Sequence, residues 1–98
     1  MYKLMALYGP PADPDHFRSY YENTHVPLAR TMPGLLSDRY TFAVEALGAP
    51  SPWFCVFEGE FADKASFEAA LASEAGQKTA ADIANYATGG VTLIHFPV

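Results

Sequence analysis

Cysteine is almost missing from this chain. The single Cys55 cannot form an internal disulfide, and no Cys/His spacing marks a zinc site. Positive charge is nearly as scarce: six Lys and Arg face eleven Asp and Glu, a formal charge of −5. No basic cluster exceeds a lone Lys or Arg, which gives nucleic acid and anionic membrane little to bind. The N-terminal apolar run, Leu4 to Tyr8, is too short for a signal peptide or a membrane span. With a lone thiol and no such segment, the cytoplasm is the default location. No G-x-G-x-x-G follows a strand, and neither a nucleophile elbow nor a metal-ligand cluster is present, so no bound cofactor is expected.

Apolar material is abundant instead. The 98 residues form one domain, 1–98, of which half are apolar and 14% aromatic. A chain of this size buries only about 60–65% of its unfolded surface. Some of the apolar surplus is therefore expected to pair with a second copy, as a homodimer.

Tyr2 to Tyr8 (YKLMALY), bounded by Gly9-Pro10-Pro11, reads as a strand buried on both faces. Asp13 offers an N-cap, Pro14 occupies the first helical position, and Phe17, Tyr20, Tyr21, Thr24 and Leu28 recur at helical spacing. Leu36 to Ala46 alternates in part, with Tyr40, Phe42 and Val44 on one side. Trp53 to Phe61 reads as the third strand, with Glu58 and Glu60 reaching water at one end. Asp63 and Ser73 can each cap a helix; Phe67 and Leu71 lie in the first, and Ala80, Ile83 and Ala87 face inward in the second. Gly89-Gly90 ends that helix, and Val91 to Phe96 closes the chain as a strand. The order is β-α-β-β-α-β, with the second helical region split. It predicts an α+β, ferredoxin-like fold: a four-stranded antiparallel sheet with helices on one face. The opposite face is open, and covering it with the same face of a second copy makes an isologous dimer.

Asp13 to Tyr40 holds the strongest chemical signal. His25 and Pro27 form an H-x-P pair near the end of an aromatic helix, which Pro33-Gly34 then stops. Pro27 cannot donate to the carbonyl of Asn23, so the helix should kink or restart beside His25. That sets one imidazole at a distorted turn, one helical turn from the phenol of Tyr21.

The segment YYENTHVPLARTMPGL resembles the signature of the EthD family: an aromatic pair, then H-x-P-L-A, then a P-G-L stop. LYGPPADPDHF before it and LASEAGQKTAADIANYATGGVTLI after it are similar to that family too, so the resemblance covers nearly the whole chain. It implies a dimeric α+β barrel, a homodimer of ferredoxin-like units with a pocket between helices and sheet. Relatives in that superfamily include lactone isomerases, polyketide cyclases, cofactor-free monooxygenases and haem-degrading enzymes, and such sequences often carry an oxidoreductase label. One departure stands out. An aromatic residue commonly follows P-G-L after two residues, whereas here Tyr40 follows after four, which leaves its place in the pocket open.

His25 is the leading catalytic candidate, because imidazole titrates near neutrality; the alternative is a polar pin for the kink. Tyr21 could orient His25 or donate to a substrate oxygen, or be a core aromatic with its hydroxyl at the rim. Phe17 and Tyr20 would wall the substrate pocket, joined by Tyr40 and by His95, which shares a strand face with Val91 and Leu93. His95 is also readable as a structural histidine. Arg39 lies across its strand from Tyr40 and suits a surface or dimer ion pair. Cys55 is expected to be a buried inert thiol, His16 solvated, and Asp82 and Asn85 part of a solvated face or a helix–loop bond. The expected activity is His-based acid/base chemistry, without a cofactor, on a compact hydrophobic carbonyl or phenol, either as isomerase or cyclase or beside an oxidoreductase. A non-catalytic barrel carrying an apolar metabolite is the alternative.

Overall fold

A computed structural model describes every residue from Met1 to Val98. Its elements run β1 (Tyr2–Tyr8), α1 (Pro14–Tyr20), a π-helical turn (Tyr21–His25), α2 (Val26–Ala29), β2 (Ser37–Thr41), β3 (Cys55–Phe61), α3 (Lys64–Ala72), α4 (Glu74–Asp82), a 3-10 turn (Ile83–Asn85) and β4 (Val91–Pro97). The four strands make one antiparallel sheet in the order β2-β3-β1-β4. The architecture is ferredoxin-like, with the helices against one sheet face. No helix is long and apolar enough to cross a membrane.

Local chemistry sets the helix boundaries. The Asp13 carboxylate accepts the His16 N–H at 3.1 Å, and Pro14 fills a first-turn position whose amide would have no partner anyway. Further on, Pro27 has no N–H for the carbonyl of Asn23. The Val26 N–H reaches back instead to the Tyr21 carbonyl, closing a π turn over Tyr21–His25. The expected kink is thus a widened turn. It brings Tyr21 and His25 almost into register, their rings stacked at 5.4 Å and 21°. After Met32-Pro33, Gly34 takes φ +80° and turns the chain toward β2.

One serine manages the split in the second helical region. The Ser73 hydroxyl donates to the Ala70 carbonyl at 2.5 Å, ending α3, and accepts the Gly76 N–H at 3.0 Å, starting α4. α4 then folds back so tightly that a Cβ on Gly76 would stand 2.1 Å from the Ala70 carbonyl oxygen. Asp63 caps α3 by accepting the Ser66 N–H at 2.7 Å.

Three expectations need correction. The second strand is shorter than Leu36–Ala46, pairing only over Ser37–Thr41. The Thr41 hydroxyl accepts the Ala43 N–H at 3.0 Å, offering the backbone a local partner in place of the ladder. β1 is not buried on both faces: Tyr2, Ala6 and Tyr8 are buried on the helix side, while Lys3, Met5 and Leu7 are half-buried on the other. The third strand begins at Cys55, not at Trp53; in the second helical region Ala80, though exposed, lines a cavity toward the sheet, and Ile83 and Ala87 pack on the core.

The helix-facing side of the sheet carries two core clusters. One gathers Tyr8, Phe17, Tyr21, Val26, Cys55 and Tyr86 among its members. The other gathers Tyr2, Ala29, Met32, Phe61, Phe67 and Ala70. On the opposite face, the register brings Met5, Leu7, Val56, Ile94 and Phe96 together. They are bordered by ion pairs from Lys3 to Glu58 (3.2 Å) and Glu60 (3.6 Å), and from Arg39 to Glu58 (3.4 Å).

Candidate active site

A cavity of about 70 Å³ lies between the helix-facing side of the sheet and the helices. Leu4, Ala6 and Phe57 line it from the sheet, Tyr21 and His25 from the π turn, and Thr79 from α4. Eleven of its fourteen lining residues are hydrophobic, so the few polar atoms decide its chemistry.

His25 is only 4% exposed, and its Nδ1 lies 2.9 Å from Oδ2 of Asp82. Asp82 is itself fastened on its other oxygen. The Tyr20 hydroxyl donates to Oδ1 at 2.5 Å, and the Asn85 amide donates to the same atom at 2.9 Å. Burial opposes the Asp82 charge, but the hydrogen bonds from Tyr20, Asn85 and His25 outweigh it and hold the carboxyl below its usual range. An ionised carboxylate can only accept, so Nδ1 carries the proton and Nε2 keeps its lone pair. For His25 the main influence is burial, which lowers its pKa against the pull of Asp82. The imidazole is therefore neutral at pH 7. Nε2 makes no hydrogen bond within the chain, yet no polar side-chain atom is sealed away without a partner, so Nε2 opens into the cavity.

Phenols surround this imidazole. Tyr86 lies at 4.6 Å between ring centroids and shares a hydroxyl–hydroxyl hydrogen bond of 2.7 Å with Tyr8. Burial raises the pKa of Tyr8, Tyr21 and Tyr86, so all three remain protonated. Cys55 sits beside Tyr21, and burial pushes its thiol up to about 12, as an inert thiol requires.

Of the residues singled out from sequence, Tyr21 and His25 line the cavity; Phe17, Tyr20, Tyr40 and His95 do not. Phe17 is fully buried one layer behind, packed on Tyr21 and Tyr86. Tyr20 faces the cluster, but its hydroxyl is committed to Asp82. Tyr40 meets Tyr21 edge-on at 5.4 Å from outside the cavity. His95 shares the helix-facing side yet belongs to the other end, bonded through Nδ1 to the Tyr2 hydroxyl at 2.6 Å and packed on Phe67 at 4.8 Å. Arg39 pairs with Glu58 on the open face, and His16 is exposed.

Sequence reasoning missed Asp82, Tyr86 and Tyr8 as neighbours of His25. Asp82 did leave a trace. It closes α4, where a carboxylate opposes the helix dipole and needs another reason to be there. No three His, Cys, Asp or Glu side chains converge as a metal site would require.

The model of the EthD domain family matches residues 9–90 of this chain. An uncharacterised 11.0 kDa protein of Rhodococcus erythropolis, from the thcB–thcC intergenic region, is 36% identical over 94 residues, covering 96% of this chain and 91% of its own. The crystal structure of an EthD family protein from Bacillus halodurans C-125 superimposes with a TM-score of 0.92 at 32% identity, covering 100% of this chain and 98% of that one. SnoaB from Streptomyces nogalater, described as a cofactor-independent oxygenase, shares the fold, with a TM-score of 0.70 at 14% identity, covering 99% of this chain and 91% of its own.

Proposed function

The chain belongs to the EthD domain family, and within it we propose a small acid/base enzyme that acts on a compact hydrophobic carbonyl or phenolic molecule without a bound cofactor. The observation that carries this reading is the His25–Asp82 pair, with Nε2 turned to an apolar cavity. In the proposed step, Nε2 takes a proton from an acidic C–H or O–H of the substrate. The new imidazolium is held by the Asp82 carboxylate, and the substrate keeps the electron pair as an enolate or phenolate. Tyr21, a protonated phenol against the imidazole, donates toward that developing oxygen. Returning the proton to another atom completes an isomerisation or cyclisation with nothing oxidised or reduced. Such a step is worth about 10²–10⁴-fold in rate.

The test is deuterium exchange, followed by NMR in D₂O, at the acidic carbons of compact cyclic ketones and dicarbonyls. Exchange accelerated by the wild-type protein and lost in His25→Ala supports the enzyme. Ligand binding without exchange supports the second reading, a carrier barrel, which the almost wholly apolar lining favours.

A homodimer is part of the proposal. The apolar residues of the open sheet face, framed by the Lys3, Arg39 and Glu58 ion pairs, suit a second copy of the same face. Replacing Ile94, 40% exposed there, with Asp should convert a dimer to a monomer in sedimentation equilibrium. A lone buried thiol also fits a reducing cytoplasm.

A further inference from the structure

We infer that the cavity takes a neutral single-ring molecule bearing a hydroxyl, a phenol or an enol, that donates its O–H to His25 Nε2. The inference rests on the proposed role of His25 as a base and narrows the substrate class of that site.

Hydrogen-bond accounting is the first support. The Thr79 hydroxyl donates to the Ala75 carbonyl at 2.8 Å, and Tyr8 and Tyr86 share one hydroxyl–hydroxyl bond at 2.7 Å, so the phenols of Tyr8 and Tyr21 are the other polar groups at the wall. Nε2 is left as the acceptor facing the cavity, because Asp82 fixes the proton on Nδ1. A group seated against Nε2 must therefore bring a donor, and a bare carbonyl placed there would set two acceptors against each other. Charge is the second support. No Lys or Arg lines the cavity, and the carboxylate behind His25 repels an anion, so carboxylates and phosphates find no counter-charge. Size is the third. One water needs about 10–15 Å³ and a benzene-binding cavity about 150 Å³, so about 70 Å³ takes the hydroxyl-bearing edge of one ring, with the rest at the cavity mouth, and no fused ring system. Leu71 and Leu93 line the same cavity but are 42% and 52% exposed. They form its outer rim, and a ring entering past them reaches His25 hydroxyl first.

The experiment compares phenol, anisole, cyclohexanone and benzoate by ligand-observed NMR titration of the full chain at pH 7.5. Phenol should bind about tenfold more tightly than anisole, as one hydrogen bond allows, and benzoate should not bind. Equal affinity for phenol and anisole, or a preference for benzoate, overturns the inference.

Asp82→Asn sharpens the test. Tyr20 and Asn85 both donate at Oδ1, so the new amide's oxygen takes that side and its NH₂ donates to His25 Nδ1. The proton then moves to Nε2, and the order should invert, with cyclohexanone above phenol. A folded Asp82→Asn protein with the wild-type order contradicts the inference. Acidifying the wild type makes the same test should that variant not fold. The groups facing the imidazole are Asp82 from α4, Tyr86 after it, Tyr8 from β1 and Tyr21 from its own turn, and of these only Asp82 titrates in acid. The preference for phenol should therefore vanish once His25 is protonated, as its ring ¹⁵N shifts report; a preference that survives that protonation overturns the inference. Exchange activity with no binding of any of the four rings sinks this inference but spares the base. Binding in the expected order without exchange supports it and sinks the proposed reaction.

Discussion

His25 and His95 both lie on the helix-facing side of the structure, both bond through Nδ1, and both pack on aromatic rings. What stands behind each ring differs. His25 leans on a carboxylate and is 4% exposed at a cavity wall. His95 leans on the Tyr2 phenol, is exposed, and touches no cavity. A carboxylate that can only accept fixes the tautomer and would hold an imidazolium if one formed; a phenol can donate or accept, so it leaves the tautomer open and offers an imidazolium no counter-charge. The two core clusters follow the same division. Around His25 stand the Asp82 carboxylate with its three donors and the Tyr8–Tyr86 hydroxyl pair, whereas around His95 packing is mostly hydrocarbon.

The largest expected effect lies at the His95 end. Phe67→Ala empties a 2% exposed site and should cost about 3–5 kcal/mol in urea denaturation, while exchange activity per folded molecule stays unchanged. A parallel loss of activity would break the separation of the two ends. At the other end, Asp82→Ala strands the donors of Tyr20, Asn85 and His25 and should cost about 1–3 kcal/mol, together with the exchange activity. Retained activity would make Asp82 a mere anchor.

Acid should probe the same contrast. The pKa of His25 is lowered from 6.5, so the unfolded chain takes up its proton before the folded one does. Stability should be level above that value and fall as pH drops below it toward the folded pKa. Asp82, held below 3.8, adds a further loss in stronger acid, as its carboxylate is protonated. His25→Gln should remove the upper limb of the pH–stability curve, and His95→Gln should leave it in place. The smallest effect is that of Tyr2→Phe, which deletes the bond to His95 and should cost within about 1 kcal/mol. A larger loss would mean that the two histidine sites are built alike.

Pro27→Ala tests how the π turn aims His25. Restoring an N–H for the Asn23 carbonyl should return the segment to α-helix and displace the imidazole in a crystal structure. An unmoved imidazole would assign the bulge to packing against Tyr86.

Much of the fold was legible because its determinants are local. Asp13, Pro14, Asp63 and Ser73 cap or start helices within a few residues of themselves, and the antiparallel sheet with helices on one face followed from the element pattern. β2 ended early for an equally local reason, the Thr41 hydroxyl, which alternation does not register. The site was half legible. Tyr21 and His25 share one segment, and Pro27 announced the distortion. Asp82 lies 57 residues beyond His25, and no spacing rule joins them. Periodicity also gave the inward face of Phe17, Tyr20 and Tyr40 but not their depth, so residues one layer behind the cavity wall were read as the wall.

The most direct test of the central claim is the ¹⁵N spectrum of the imidazoles, recorded through two-bond couplings to the ring protons at pH 7 and assigned with His25→Gln. The account predicts a neutral His25 with its proton on Nδ1 and a bare Nε2. A proton on Nε2, or a fully charged ring at that pH, would contradict it.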